Sequence, residues 1–477
     1  MEWDGGACPL EYRHRMQPHD YRLALKSPAS RGLRWFCGLV LAWVVVFDAR
    51  AEAAPDLPSC LQTLRHELPT QPPVRAESFD RYTRSVEDLR PLIEQSSAAQ
   101  PEFKLPVWDY LARLVDPQRE ADGRAMLQRH ATALDGIAQR HGVDAATVVA
   151  VFGVETDYGR VAGRYPVIDA TLSRACLNLG SRERKAHFFA ALYLLQEGLV
   201  RPDTFRGSWA GAFGLTQFMP GTYLKNMDDG DGSNDVDIIA SVPDALATTA
   251  RYLSGLGWIA GLPWGIEVSV PRGSAAPWNA LEADHGCLEP SAAPGRCRSV
   301  AQWAASGVRR IDGSALLPAD ARPGSPWQAD TRAALLMPAG PDGPAWLVTR
   351  NFQAAWRYNR ADAYALAIGL LGDRLRGDPA PLTAWPTNDP ALSRAEFVEL
   401  QALLLRRGHC DVTADGRDGP RTRAAVMAEE TAQGWTPSGR GGVKLLGALR
   451  VAAAATSRLP TPLPADCAAS GPDPQQR

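Results

Sequence analysis

The spacing of apolar and polar positions predicts a chain that is mainly helical. Apolar residues recur at helical spacing in several stretches, at residues 60–67, 78–95, 123–141, 184–198, 244–256 and 351–376. Asp144 precedes another apolar stretch and has the side chain expected of a helix N-cap. Short runs of strand character stand at residues 265–270, 333–337 and 346–349, next to a segment rich in Gly, Pro and Trp. We therefore expect an α+β domain that is mostly α, with a small β portion.

Composition shifts divide the rest of the chain. Residues 377–390 contain four prolines without periodicity, which predicts a linker after a domain over 56–376. Residues 391–455 predict a small domain of three helices, at 393–407, 419–433 and 442–454. The remaining 456–477 are rich in Pro and Ala, and we predict a disordered tail.

The first 53 residues have the features of an export signal. A basic stretch precedes an apolar run of about 13 residues from Trp35 to Phe47, and alanines follow it. This run is short for a membrane span and typical of a signal peptide. We therefore predict a signal peptide over 1–53 and a periplasmic location.

The cysteines agree with export. Of the eight cysteines, Cys8 and Cys37 lie within the predicted signal, so six remain. An even number in an exported chain favours disulfides, although six cysteines allow 15 complete pairings. Our hypothesis pairs residues 60 with 176, 287 with 297, and 410 with 467.

Charge and motif content exclude several functions. Lys and Arg total 51 against 53 Asp and Glu, so no basic excess indicates nucleic-acid binding. The sequence has eight His, without a zinc-ligand cluster and without the Ser-His-Asp or Cys-His arrangements of amidases and peptidases. Most of the 14 Trp are expected in packing.

Glu155 is the candidate for chemistry. In the helix that begins after Asp144, Val148, Val151 and Phe152 form an apolar stripe, and Glu155 falls on the same stripe. A carboxyl group there is either paired, for instance with Arg160, or kept protonated by burial, as a general acid requires. Periodicity alone leaves both interpretations open.

Ordered sequence blocks resemble the membrane-bound lytic murein transglycosylase B family, glycoside hydrolase family 103. The blocks are GVETDYG at 153–159, GSWAGAFG at 207–214, QFMPGTY at 217–223, PDALATTARYL at 243–253, WLVTRNF at 346–352 and RYN at 357–359. The resemblance implies a lysozyme-like catalytic domain that cleaves the peptidoglycan bond after N-acetylmuramic acid. It implies one catalytic carboxyl, Glu155, acting first as acid and then as base, so that a 1,6-anhydro ring forms without water. Asp157 falls in a variable slot of the motif and is predicted at the surface.

Substrate contacts are expected from polar and aromatic residues of these blocks. The glycines at 207–214 allow close approach of backbones or sugar, and Ser208 can hydrogen-bond substrate or Glu155. Gln217 offers a donor and an acceptor, and Asn359 shares an apolar helix face, so it is expected to face the groove. The substrate-binding residues predicted in this way are Ser208, Gln217, Tyr252, Tyr358, Asn359 and Tyr364.

An acidic loop raises the question of calcium. Asp229, Asp231 and Asp235 alternate as in an EF-hand loop, but Asn234 replaces the turn glycine and Ala240 the closing glutamate. A solvated turn is the favoured interpretation and calcium the minor one, so we expect no cofactor.

The C-terminal unit resembles the small peptidoglycan-binding domain with three helices. LSRAEFVELQALLLRRG at 392–408 and DGRDGPRTR at 415–423 carry the resemblance, whereas the third helix departs from it. Peptidoglycan strands are thus the expected partner, and association with the outer membrane or a cell-wall complex stays open. Two alternatives remain: a hydrolase like goose-type lysozyme, and a non-catalytic cell-wall scaffold.

Overall fold

The computed structural model describes residues 55–98, 100, 104–271, 285–288, 297–317 and 325–456. The predicted signal peptide, most of the predicted tail and Cys467 lie outside these residues. Within the described residues, no helix is both long and apolar enough to cross a membrane.

Helices dominate the part that precedes the sheet. They are α1 (Leu57–His66), α2 (Ala76–Tyr82), α3 (Arg90–Ser97), α4 (Val107–Leu114), α5 (Pro117–Arg129), α6 (Ala131–His141), α7 (Ala145–Thr156), α8 (Val167–Leu177), α9 (Arg182–Gln196), α10 (Pro220–Asn226) and α11 (Val242–Gly255). Asp144 caps α7 as predicted, because its carboxylate accepts the amide of Thr147 at 3.0 Å. Two predicted helices were wrong in extent: 78–95 divides into α2 and α3, and 123–141 divides at His130.

Helix α7 lies in the centre of the first core. It packs against α5, α6 and α11, and against a later helix, α14 (Asp362–Arg376). Residues 148–151 are all fully buried, so α7 is apolar on every side rather than along one stripe. A helix held on all sides fixes the position of the residues at its end, where Glu155 stands.

A second core joins α1, α2, α8, α9 and α10. A disulfide between Cys60 and Cys176 ties α1 to α8, which confirms one predicted pair. The structure also confirms the pair Cys287–Cys297. The third pair stays a prediction, because Cys467 lies outside the described residues.

The β portion is one small antiparallel sheet, beside a short ribbon of β1 (Tyr165–Pro166) and β2 (Arg206–Gly207). Its strands are β3 (Gly265–Ser269), β4 (Arg298–Ser299), β5 (Arg309–Arg310), β6 (Arg332–Leu336) and β7 (Trp346–Val348), in the spatial order β4-β6-β7-β3-β5. Helix α12 (Val300–Ala305) packs beside it, and Trp303 and Trp327 help to fill its core. The expectation of a mainly helical fold with a small β portion is confirmed.

After the sheet the chain returns to helices. The predicted helix over 351–376 is divided into α13 (Arg350–Asn359) and α14, since Arg360 between them takes a left-handed conformation at φ +53°. The C-terminal unit consists of α15 (Arg394–Arg406), α16 (Pro420–Ala432) and α17 (Val443–Thr456) around its own apolar core. The proline-rich segment at 377–390 connects α14 to this unit. The backbone amides of Leu382 and Thr383 both donate to the carboxylate of Glu267 in β3 at 2.8 Å, so the segment is attached to the sheet.

Candidate active site

Helix α7, which carries Glu155, ends in an unusual reversal. Asp157, Tyr158 and Gly159 follow one another with φ values of +51°, +56° and +85°. Glycine adopts such angles readily and Asp does so more often than most residues, but Tyr does so only when its surroundings hold it there. The hydroxyl of Thr156 donates to the carbonyl of Leu215 at 2.6 Å and accepts the amide of Gly159 at 3.1 Å. Thr156 therefore joins the end of α7 to the glycine-rich loop, which we define as residues 207–218.

Glu155 stands next to a row of tyrosines. The hydroxyl of Tyr364 donates a hydrogen bond to Oε1 of Glu155. The ring of Tyr364 stacks on that of Tyr358 at 6.1 Å, and Tyr358 meets Tyr252 at 5.4 Å. The structure thus brings together Glu155 and the three predicted tyrosines, from α7, α11, α13 and α14.

The tyrosines differ in what they can offer a ligand. Tyr364 is 2% exposed, so its ring has no open face for a sugar, and its contact is with Glu155. Tyr252 and Tyr358 are half-buried. Burial and the nearby Glu155 carboxylate raise the pKa of Tyr358 and of Tyr364 well above the usual range. Both hydroxyls therefore stay protonated donors at any physiological pH.

Ser208 and Gln217 belong to one folded loop. Phe213 and Phe218 exchange two backbone hydrogen bonds at 2.9 Å, and Gly207 bridges to Phe213. Within this loop, Ser208 Oγ accepts the amide of Ala212 at 3.2 Å. Gln217 has a φ of +52°, and its side-chain amide donates to the carbonyl of Gly214 at 2.9 Å. Both predicted residues are half-buried, each with hydrogen-bonding capacity left over for a ligand.

Close packing explains the glycines of this loop. A Cβ on Gly207 would stand 2.1 Å from the carbonyl oxygen of Ala212, and one on Gly163 would stand 1.8 Å from the backbone carbon of Gly207. The loop also touches the row of tyrosines, since the hydroxyl of Tyr358 donates to the carbonyl of Thr216 at 2.7 Å. Asn359, the next residue after Tyr358, is exposed at the end of α13.

Asp157 is not at the surface, and that prediction was wrong. Its side chain is 4% exposed and lies 3.3 Å from Arg119 and 2.5 Å from Arg394. Arg160, considered above as a partner of Glu155, lies instead 2.7 Å from Asp122 and 3.5 Å from Asp157. The Asp157 carboxylate is thus paired with the guanidinium groups of Arg119 and Arg394. Glu155, in contrast, accepts a hydrogen bond from the tyrosine row through Tyr364.

Two contacts of Glu155 and its helix could not be read from the local sequence. The hydrogen bond from Tyr364 joins residues 209 positions apart, and the hydroxyl of Thr156 reaches a carbonyl 59 positions away. Thr156 gave one signal, because a hydroxyl residue at the end of a buried helix needs a partner.

The carboxylates that lie close enough together to hold a cation differ from the predicted set of Asp229, Asp231 and Asp235. Asp229, Asp231 and Asp244 each bring a carboxylate oxygen within 4.8 Å of the others and could hold a metal ion. Asp235 is outside this set and accepts the hydroxyl of Ser233 at 2.6 Å. Backbone amides of the loop already donate to two of these carboxylates. Asp244 accepts hydrogen bonds from two amides and Asp229 from three.

Comparison with known proteins identifies both parts of the chain. The family model described as Transglycosylase SLT domain matches residues 57–373, and a model for a peptidoglycan binding domain matches residues 393–449. Membrane-bound lytic murein transglycosylase B of Escherichia coli is 26% identical over 307 residues, covering 62% of this chain and 74% of that protein.

Solved structures of lytic transglycosylases resemble this chain in fold. The crystal structure of SltB3 from Pseudomonas aeruginosa, in complex with NAG-NAM-pentapeptide, is 38% identical and has a TM-score of 0.59; the match covers 83% of this chain and 99% of that one. The Escherichia coli lytic transglycosylase Slt35, solved in complex with calcium, shares the fold at 21% identity and a TM-score of 0.54, covering 66% of this chain and 92% of that one. The chain accordingly belongs to the lytic murein transglycosylase family defined by the Transglycosylase SLT domain, followed by a peptidoglycan-binding domain.

Proposed function

We propose that this enzyme cleaves the glycosidic bond between N-acetylmuramic acid and N-acetylglucosamine without water, leaving 1,6-anhydro-N-acetylmuramic acid ends. The observation that carries the proposal is the placement of Glu155, at the end of a fully packed helix and in hydrogen-bond contact with Tyr364. A carboxyl group in such surroundings suits proton transfer to a leaving oxygen.

Glu155 acts as acid and then as base. It first donates its proton to the glycosidic oxygen, so that the bond from that oxygen to the anomeric carbon breaks. The carboxylate left behind then removes the proton of the muramyl C6 hydroxyl, whose oxygen bonds to the anomeric carbon and closes the ring. No water enters the products, and Glu155 ends protonated as it began.

The row of tyrosines supports this cycle. Because their hydroxyls remain protonated, Tyr364 donates to Glu155 whenever the carboxyl group is ionised, and Tyr358 holds the neighbouring loop at Thr216. Hydrogen bonds to a charged acceptor are stronger than those between neutral groups. Tyr364 therefore stabilises the carboxylate that must serve as base in the second step.

A second carboxylate is not needed in this cycle. Most glycosidases use two, but substrate-assisted enzymes rely on the N-acetyl carbonyl of the sugar. Asp157, the nearest acid in sequence, is occupied by Arg119 and Arg394. The side chains of Ser208 and Gln217 can orient the N-acetyl group, and Tyr252, Tyr358 and Asn359 can border the sugar site.

The relatives support the proposed substrate class and location. SltB3 was also solved with NAG-anhNAM-pentapeptide, the kind of end that the proposed reaction forms. We extend this ligand class to the present chain, whose C-terminal domain would bind the same polymer. A peptidoglycan substrate supports the proposal of a periplasmic location, which the predicted signal peptide also favours.

The product end tests the reaction. Purified sacculi are digested with the protein without its signal segment, and the released muropeptides are analysed by mass spectrometry. We expect muropeptides that end in 1,6-anhydro-N-acetylmuramic acid and lack the mass of one water. Products with reducing ends would instead make the enzyme a hydrolase. Binding of sacculi without any release would support the scaffold alternative.

A further inference from the structure

The backbone reversal at 157–159, which follows α7, is held by contacts from the catalytic domain and from the C-terminal domain. Asp157 and Tyr158 both have left-handed backbones, which Asp adopts more often than most residues but which a bulky residue such as Tyr adopts only under constraint. Within the catalytic domain, the hydroxyl of Tyr158 donates to the carbonyl of Arg119 at 2.9 Å, and its ring meets Phe152 edge-on at 5.5 Å. The guanidinium of Arg119 also contacts Asp157 at 3.3 Å.

The shortest contact of Asp157 comes from the C-terminal domain. Nη1 of Arg394, the first residue of α15, lies 2.5 Å from Oδ2 of Asp157. The Asp157 side chain is 4% exposed and that of Arg394 is 35% exposed, so the pair is buried at its acidic end and partly open to water at the arginine. A charge pair in such surroundings is screened less than one at the surface.

Neighbouring contacts fix this docking geometry. Arg113 of the catalytic domain lies 2.8 Å from Asp418, and its guanidinium stands over the ring of Phe397 at 6.0 Å. Arg113, Arg394 and Asp418 also border a cavity of about 260 Å³ between the two domains. Arg394 therefore reaches Asp157 from a defined position.

Asp157 is two residues from Glu155, and Thr156 between them joins α7 to the glycine-rich loop through Leu215. A shift of the reversal would move both the carboxyl group and this loop. Small displacements of catalytic groups reduce rates strongly, because reacting atoms must meet within narrow limits.

We propose that Arg394 is a positioning residue for Glu155: the C-terminal domain stabilises the left-handed reversal at 157–159 and so completes the catalytic site. This inference rests on the proposed function of Glu155. The C-terminal domain would then have a second role besides binding peptidoglycan. Asp157, which stands at a variable position of the family motif, would have the role of binding Arg394.

The test compares Arg394→Ala, Arg394→Lys and Arg450→Ala in the full mature chain. Arg450 is the matched control, because it pairs with Glu399 at 2.6 Å on the open surface of the same domain. Hydrogen exchange is measured at the amides of residues 157–161, where Val161 donates to Thr156 at 2.9 Å. The kcat and KM for soluble glycan strands are measured on the same variants.

We expect Arg394→Ala to speed exchange at 157–161 and to lower kcat about tenfold with KM unchanged. Arg394→Lys should restore part of the protection from exchange and part of kcat, and Arg450→Ala should match the wild type in both. The inference is overturned if Arg394→Ala exchanges like the control, if exchange rises while kcat stays, or if only KM or sacculus binding changes. If the wild type cleaves no glycan, the proposed function fails, and the exchange data alone decide whether Arg394 holds the reversal.

Discussion

At the scale of single residues, the site depends on which acid keeps contact with the tyrosines. Glu155 and Asp157 are two positions apart, yet they have opposite surroundings. Glu155 meets the hydroxyl of Tyr364, whereas Asp157 is surrounded by Arg119, Arg160 and Arg394. The Asp157 carboxylate, which is 4% exposed, is thus already occupied by ion pairs. This contrast supports our proposal that Glu155 carries the chemistry.

Replacement of Tyr364 by Phe tests the hydrogen bond to Glu155. The ring and its stacking on Tyr358 are kept, and only the hydroxyl donor is lost. Because hydrogen bonds to charged groups contribute about 1.5–3 kcal/mol, we expect kcat to fall about 10- to 100-fold. Sacculus binding should not change. Tyr193→Phe, in the second core, is the control. A rate equal to that of the control would remove Tyr364 from the mechanism.

Some of the site was predictable from the sequence because its signals are local. Glu155 on the apolar stripe and the glycines at 207–214 stand in continuous motifs. The burial of Asp157 was missed, because its partners Arg119 and Arg394 are 38 and 237 residues away in sequence. A pattern within one helix carries no information about contacts at such distances.

At the scale of elements, the helices were found but their ends were often misplaced. Apolar spacing continues through His130 and Arg360, so each pair of helices was predicted as one. In the structure the helix is interrupted at each point by a non-helical residue, His130 with φ −110° and ψ 20° and Arg360 with φ +53°. Helix α8 shows another effect of packing, since it buries the carboxyl group of Asp169 in its first turn.

Asp169 should make the stability of the fold depend on pH. Burial raises its pKa from 3.8 to about 6, so the folded state holds a proton that the unfolded state has lost in this range. Its favourable contribution is complete below pH 3.8 and is lost as the pH rises through 6. At pH 7 the buried charge costs up to roughly 3 kcal/mol.

The measurement is urea unfolding of the wild type and Asp169→Asn between pH 4 and pH 7. We expect the free energy of unfolding of the variant, relative to the wild type, to rise across this range and to level off near pH 7. The exposed Asp203→Asn is the control and should follow the wild type. A difference that is constant with pH would show that burial of Asp169 does not perturb its titration.

At the scale of the whole molecule, the C-terminal domain is fastened to the catalytic domain by buried charge pairs. Arg440 donates to both carboxylate oxygens of Asp109, one of them at 2.7 Å, and to Asp389 at 2.8 Å. The segment predicted as a linker also contributes, since Leu382 and Thr383 bind Glu267. Composition indicates a proline-rich segment without periodicity, but it cannot indicate that its amides find an acceptor more than 100 residues away.

Removal of Arg440 should therefore weaken the whole assembly. Asp109 has a side chain that is 3% exposed, and Arg440→Ala leaves its charge buried without this partner. Breaking one side of a buried pair costs about 3–5 kcal/mol, so we expect a clearly lower thermal midpoint. Arg450→Ala removes an exposed pair and should cost less than about 1 kcal/mol. Equal midpoints for the two variants would contradict the importance of this docking contact.

The most direct test of the central claim is the rate at which Glu155→Gln releases muropeptides from sacculi. The variant keeps the size of the side chain and one oxygen that can accept from Tyr364, but it can neither donate nor remove the proton. We predict a rate about 10²- to 10⁴-fold below the wild type, with the same thermal midpoint and sacculus binding. Glu77→Gln, an exposed change in α2, should cleave normally. If Glu155→Gln released anhydro-muropeptides at the wild-type rate, Glu155 would not be the catalytic acid and base, and the account of this site would be wrong.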